Sequence, residues 1–224
     1  NFWNNKKNIN YFLLFMVAAA FLFSFSRGAI VACLGIVLFA LLLNKKYKAL
    51  LFIFGSFVLS TLSLLYFGSE EIRYLIIDTL KFENTSSLGH LVEWIEGILS
   101  IFENPLGIGL AMSGNASGVD QAIKVGGENQ FLIFGVQMGV LSVAIYVLIL
   151  FYIIKRSSHV YLNTSNFDKH ISFIVACTKF SLLLPLLTAN AELYLFVSLV
   201  TWFFAGYIES RYIELKFEKN KSLY

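Results

Sequence analysis

Six stretches of this chain, at 11–26, 29–43, 50–67, 131–154, 171–187 and 193–207, are almost wholly apolar. Each meets or approaches the length of about twenty apolar residues that a helix needs to cross a hydrocarbon layer. Lipid offers no partner to a bare N–H or C=O, so such runs must satisfy their backbone bonds internally, and a helix does that. Composition agrees. Hydrophobic residues make up 58% of the 224 positions and charged residues 14%, against about a quarter charged in a soluble domain. The reading is an all-α integral membrane protein with about six transmembrane helices and one long, partly helical outer loop.

The placement of charge orients it. Lys6 and Lys7 precede the first run, Lys45, Lys46 and Lys48 sit between the second and third, and Lys155, Arg156 and Lys169 between the fourth and fifth. Arg211, Lys216, Lys219 and Lys221 follow the last. With six helices all four segments share one side, which the positive-inside rule makes cytoplasmic. The segment 67–129 falls on the opposite side and carries nine carboxylates against Arg73, Lys81 and Lys124. The expected organisation is three spans over 1–66 with a Ser-Arg-Gly turn, an extracytoplasmic loop over 67–129, three spans over 130–210 and a cytoplasmic tail over 211–224. The chain opens on Asn1 with no cleavage-site pattern after it, which reads as a piece of a longer protein and not as a signal peptide.

Within the outer loop the segments 71–82 and 90–102 look helical. On a 3.6-residue period Leu91, Trp94, Ile95, Ile98, Leu99 and Phe102 share one arc, and His90, Glu93, Glu96, Gly97 and Ser100 the other. That is an amphipathic helix, expected to lie on the membrane or the bundle with its polar face lining a wet cavity. Asn104-Pro105 stops it, and the glycine-rich stretch to Gly127 has no periodicity. The fourth span is expected to start directly after Glu128-Asn129-Gln130. A carboxylate there has two explanations: helix capping and dipole complementarity, or chemistry.

No phosphate-cradling glycine motif, zinc-protease motif or Cys/His metal spacing occurs, and Cys33 and Cys177 both lie inside apolar runs as small hydrophobes. No metal or other cofactor is expected, and the formal charge of +3 is too small to suggest nucleic acid. On the outer face this leaves His90, the carboxylates and two arginines, Arg27 and Arg73, a set suited to acid/base work and to binding a phosphorylated substrate. Arg27 at the membrane surface is either an interfacial arginine snorkelling to lipid phosphate or one aimed at a bound anion. Lys179, well inside the fifth run with Pro185 beyond it, is a functional candidate by default; snorkelling or pairing with a carbonyl also explains it.

Taken in order, Ser26-Arg27-Gly28-Ala29, Gly89-His90-Leu91 with Trp94, Glu103-Asn104-Pro105-Leu106-Gly107-Ile108-Gly109, and Gly127-Glu128-Asn129-Gln130-Phe131-Leu132 leading to Gly135 and Met138-Gly139 resemble the O-antigen ligase and polymerase superfamily. The resemblance covers roughly 20–150. It implies a GT-C-like helical bundle in the bacterial inner membrane that moves a glycan, with inversion and without metal, from a polyprenyl diphosphate carrier to an acceptor glycan or lipid. By that resemblance Arg27 and Arg73 bind the diphosphate, and either Glu128 or His90 serves as base or the reaction leans on positioning and leaving-group stabilisation alone. It also implies further spans before the Ser-Arg-Gly stretch, so that this piece alone is expected to be inactive. Many members have Gly-Arg where this chain has Gly89-His90, and His-Asn where it has Glu128-Asn129, which favours a polysaccharide polymerase over a ligase. A transporter or flippase of a lipid-linked or anionic substrate, and a scaffold whose loop docks a partner, are the competing readings.

Overall fold

A computed structural model describes residues 11–12, 15–20, 23, 26–81, 85–114 and 125–221, and every structural statement below concerns these. Residues 15–20 are helical. They are followed by α1 (Arg27–Leu43), α2 (Tyr47–Phe67), α3 (Glu70–Leu80), α4 (Thr85–Glu103), α5 (Gln130–Met138), α6 (Val140–Asn163) and α7 (Asn166–Leu182). Two 3₁₀ turns, Pro185–Leu187 and Ala191–Leu193, lead into α8 (Leu195–Lys221). The described residues are helical and connecting, as the apolar runs require.

Three of these segments, Tyr47–Phe67, Val140–Asn163 and Asn166–Leu187, are long and apolar enough to cross a membrane. Of the other expected spans, the first, 11–26, lies partly outside the described residues, and the rest differ from the expectation for separate reasons. The apolar part of α1, Gly28–Leu43, is shorter. In α8 the apolar start runs straight into Glu209, Arg211 and Glu214. The fourth run is not one helix at all, since Gly139, at φ 84°, severs α5 from α6.

The break at Gly139 has a visible cause. In an unbroken helix the carbonyls of Val136 and Gln137 would accept from the amides four residues on. Here they accept from the Ile108 and Gly109 amides at 2.9 and 3.0 Å, while the Val140 amide donates to the Pro105 carbonyl at 3.1 Å. The Ser142 hydroxyl donates to the carbonyls of Phe134 and Gly139 at 2.9 and 2.7 Å. The Pro105–Gly109 turn therefore splints the break by pairing the Val136 and Gln137 carbonyls and the Val140 amide that the break frees. The approach is so close that a Cβ on Gly139 would stand 2.3 Å from the Pro105 oxygen, and one on Gly107 2.4 Å from the Gln137 oxygen.

Helices α1, α6, α7 and α8 form the packed body. α1 runs antiparallel to α7: a Cβ on Gly35 would stand 3.0 Å from the Ser181 Cα, and the Phe39 and Phe180 rings stack at 4.2 Å. At the foot of the pair the Tyr161 hydroxyl donates to Asn44 Oδ1 at 2.8 Å. Val160, Val175, Ala205 and Ile208 make one buried apolar cluster, and Tyr146, Leu150 and Leu186 another nearer the opposite end. By contrast, α2 buries no residue, and its neighbours are α1 and α3.

These contacts give the body two ends. The Asn44–Lys46 connection, the α6–α7 turn and the second half of α8 lie at one. The start of α1, the Pro105–Gly109 turn, α5 and the two 3₁₀ turns lie at the other.

Candidate functional site

At the second end, α4 lies against α5 through its smallest residue. Gly97 is buried, and a Cβ there would stand 3.0 Å from Leu132 and 3.3 Å from the Gly126 Cα. Of the polar arc expected to line a cavity, Gly97 with half-buried His90, Glu93 and Ser100 is thus on the packed side, while Glu96 stays exposed. Of the apolar arc, Trp94 is half-buried and the rest is turned outward, with Ile95 51%, Leu99 55% and Phe102 79% exposed. Small residues let two helices approach, and a side of α4 that is bulky and apolar has lipid as its natural solvent.

That packing seats Glu93 on the turn before α5. A Cβ at Gly127 would lie 1.9 Å from Glu93 Oε2 and would push the carboxylate off this seat, and the φ of +51° there favours glycine. One helical turn earlier, His90 Nδ1 is 3.6 Å from the same Oε2, within ion-pair reach and too long for a hydrogen bond. Glu128 follows Gly127 directly. The structure therefore brings His90, Glu93 and the Glu128 turn into one place, and Glu93 is the member that sequence reasoning left unassigned. Its signal was its position on the same arc as His90, three residues on.

Glu128 itself is exposed. Of the two explanations for a carboxylate here, helix capping is not its role. Asn129, 5% exposed, is the cap, and its Oδ1 accepts from the amides of Phe131 and Leu132 at 3.0 and 3.1 Å. With capping done by its neighbour, the carboxylate of Glu128 has no structural duty among the described residues. Next to it, Gln130 is fully buried, yet neither atom of its amide has a hydrogen-bond partner. The Trp94 Nε1 and the Ser113 hydroxyl are likewise buried and unpartnered. Ser113 belongs to the same region, since its carbonyl accepts from Gln137 Nε2 at 2.8 Å.

The arginines are placed differently. Ser26 is the N-cap of α1, with its hydroxyl accepting from the Ala29 amide at 3.3 Å, and Arg27 is the first residue of the helix. The expected turn is thus a capped helix start, which presents aligned N–H dipoles to its surroundings. The Arg27 side chain lies outside the described residues, as does 115–124 of the outer loop. α1 and α5 both contact the Pro185–Leu187 turn, which puts the Arg27 backbone at the same end as Glu128. Arg73 is exposed on α3, with Nη2 3.5 Å from the Tyr66 carbonyl. No hydrogen bond or ion pair among the described residues ties it to α4 or α5.

Lys179 is resolved more fully. It is fully buried, and its Nζ donates to Glu192 Oε1 at 2.5 Å and lies 3.8 Å from the Trp202 ring centroid. The Tyr146 hydroxyl donates to Glu192 Oε2 at 2.7 Å. The partner is a carboxylate from the second 3₁₀ turn, in place of the snorkelling or carbonyl pairing that stood beside the functional reading of this lysine. At the other end Arg211 Nε and the Tyr207 hydroxyl donate to Asp168 at 2.9 and 2.6 Å. Glu214, hydrogen-bonded to Arg211 at 2.6 Å, raises that guanidinium above its ordinary pKa.

Against known proteins, the sequence model of the family described as O-antigen ligase matches residues 12–147. No curated protein and no solved structure matches the chain. The matched residues take in every feature of this site, from the α1 cap through α4 and the Pro105–Gly109 splint to Glu128 and α5.

Proposed function

Because the chain belongs to the O-antigen ligase family, we propose that it is part of an inner-membrane glycosyltransferase that moves a glycan from a polyprenyl diphosphate to a hydroxyl of an acceptor glycan. The observation that carries this reading is the convergence of His90, Glu93 and the Glu128 turn on one end of the bundle, within the stretch that the family model matches. Glu128 takes the acceptor proton as the hydroxyl oxygen attacks the anomeric carbon. The bond from that carbon to the diphosphate oxygen breaks on the opposite face, and the lipid diphosphate leaves with the electron pair.

Arg27, at the dipole-positive start of α1, neutralises the charge developing on the leaving group. Arg73 is the second diphosphate contact, brought in from α3. Glu93 acts as a positioning residue that orients the His90 imidazole. The unmet hydrogen-bonding capacity of Gln130, Trp94 and Ser113 suits a hydroxyl-rich acceptor, since buried polar groups seek partners. The outer loop 67–129 then lies on the extracytoplasmic side.

The test places Arg27→Ala and Glu128→Gln separately in the full-length protein and resolves surface polysaccharide on a gel. Loss of a general base costs about 10²–10⁴ in rate. Glu128→Gln should therefore erase the long-chain ladder while single repeats persist, as a polymerase requires. Loss of all lipid-attached glycan would instead identify a ligase, a reading that the family match fits equally well. An unchanged pattern in both variants would sink the mechanism. A transporter is disfavoured by Lys179, whose charge is matched by Glu192 and so offers no ready site for an anionic cargo.

A further inference from the structure

On the side of the bundle away from this site, α6 and α8 diverge around a groove of about 420 Å³. Its walls are of two kinds. Ile149, Ile153 and Trp202 give an apolar length, and Ala205 and Gly206 keep it open on the α8 side. At its polar end Arg156 and Glu209 face each other in a direct ion pair, about a third exposed each. The Arg156 guanidinium also lies 5.3 and 5.1 Å from the ring centroids of Tyr152 and Tyr212. Ser157 lines the same groove, fully buried, with a hydroxyl that has no hydrogen-bond partner.

The position along the helix matters. Arg156 stands seven residues before Asn163, the last residue of α6, or roughly 10 Å at 1.5 Å per residue. The site is therefore near the end of a membrane-crossing helix, at the depth where a phospholipid changes from acyl chain to headgroup. The groove matches a molecule that has the same two parts in the same order.

From this geometry we infer that the groove binds a zwitterionic phospholipid bearing a primary ammonium, such as phosphatidylethanolamine. The acyl chain lies along Ile149, Ile153 and Trp202 in the space left by Gly206. The phosphate accepts from Arg156 and from the Ser157 hydroxyl, and the ammonium donates to Glu209. Charge complementarity selects this class. An anionic phospholipid without an ammonium, such as phosphatidylglycerol, satisfies Arg156 but meets the carboxylate of Glu209 without a cation to bring to it. A choline headgroup brings a cation that has no N–H to donate. Only a headgroup with both a phosphate and an N–H cation replaces the Arg156–Glu209 pair with two new ones.

Trp202 in the groove wall reports occupancy directly. The intact protein, with every other tryptophan changed to phenylalanine, is reconstituted in vesicles carrying lipids brominated on the acyl chain, and quenching of Trp202 is titrated. Brominated phosphatidylethanolamine should bind about threefold tighter than brominated phosphatidylglycerol or phosphatidylcholine, the scale of one partly exposed charge pair. Arg156→Gln should remove that preference, and Glu209→Gln should turn it toward phosphatidylglycerol. Gly206→Leu should weaken quenching by all three lipids. A Cβ at Gly206 meets nothing within 4 Å, so this variant fills the groove without disturbing the packing around it. Equal quenching by the three headgroups in the unsubstituted groove overturns the assignment. So does a preference that survives both charge changes, or a Trp202 shielded from every lipid, which would show that protein covers the groove.

Discussion

Lys179 and Glu192 show what a charge inside the bundle requires. Each would be costly alone, and each is held by more than its counterpart, Lys179 by the Trp202 ring and Glu192 by the Tyr146 hydroxyl. Removing one partner of a buried pair costs about 3–5 kcal/mol, because the other charge is stranded. Lys179→Met should therefore lower the unfolding temperature in detergent sharply. Lys179→Met with Glu192→Gln should recover most of the loss, since a glutamine still accepts from Tyr146. Gln130 predicts the reverse sign. A buried amide with both atoms unpaired carries a desolvation cost of about 1–3 kcal/mol, so Gln130→Leu should raise thermal stability. If the amide serves the acceptor, the same change should shorten the polysaccharide ladder. A gain in stability with an unaltered ladder would show that Gln130 has no part in acceptor binding.

Among elements, the α5–α6 break is the most demanding. Gly139 and Gly107 both have positive φ and both touch backbone across the splint. Gly139→Ala combines strain with a clash that neither partner can relieve by a rotamer change, and should cost more than about 2 kcal/mol, read as loss of the monodisperse peak on size exclusion. Gly55→Ala in α2 is the counterpart. Nothing lies within 4 Å of its added Cβ, so the helix should gain about 0.5–1 kcal/mol from propensity alone. These elements also divide what the sequence makes legible from what it hides. Apolar length exposed the helices 47–67 and 166–187, and spacing exposed the amphipathic segment 90–102 inside α4. The break stayed hidden because Gly139 sits in a run as apolar as the rest, and the groups that compensate for it come from 105–109. Asn129 as the cap was hidden by its more conspicuous neighbour Glu128. Glu192 was readable as a turn residue, but only the fold carries it back down to Lys179.

Among the described residues the packing gives two ends, and the proposed orientation puts them on opposite sides of the membrane. The check is labelling by a membrane-impermeant thiol reagent after Cys33 and Cys177 are changed to serine. Leu106→Cys, at a position 92% exposed, should be labelled on intact cells, and Lys46→Cys only after they are permeabilised. Labelling of both on intact cells would refute the assignment. The Pro105–Gly109 splint adds a constraint of a different sort, on the order in which the chain is made. It leaves the ribosome before the helix it repairs. When Val136 and Gln137 emerge, the amides that will take their carbonyls have already been synthesised and lie at the membrane, so the interrupted helix need not wait in lipid with bare carbonyls for a partner still to be translated.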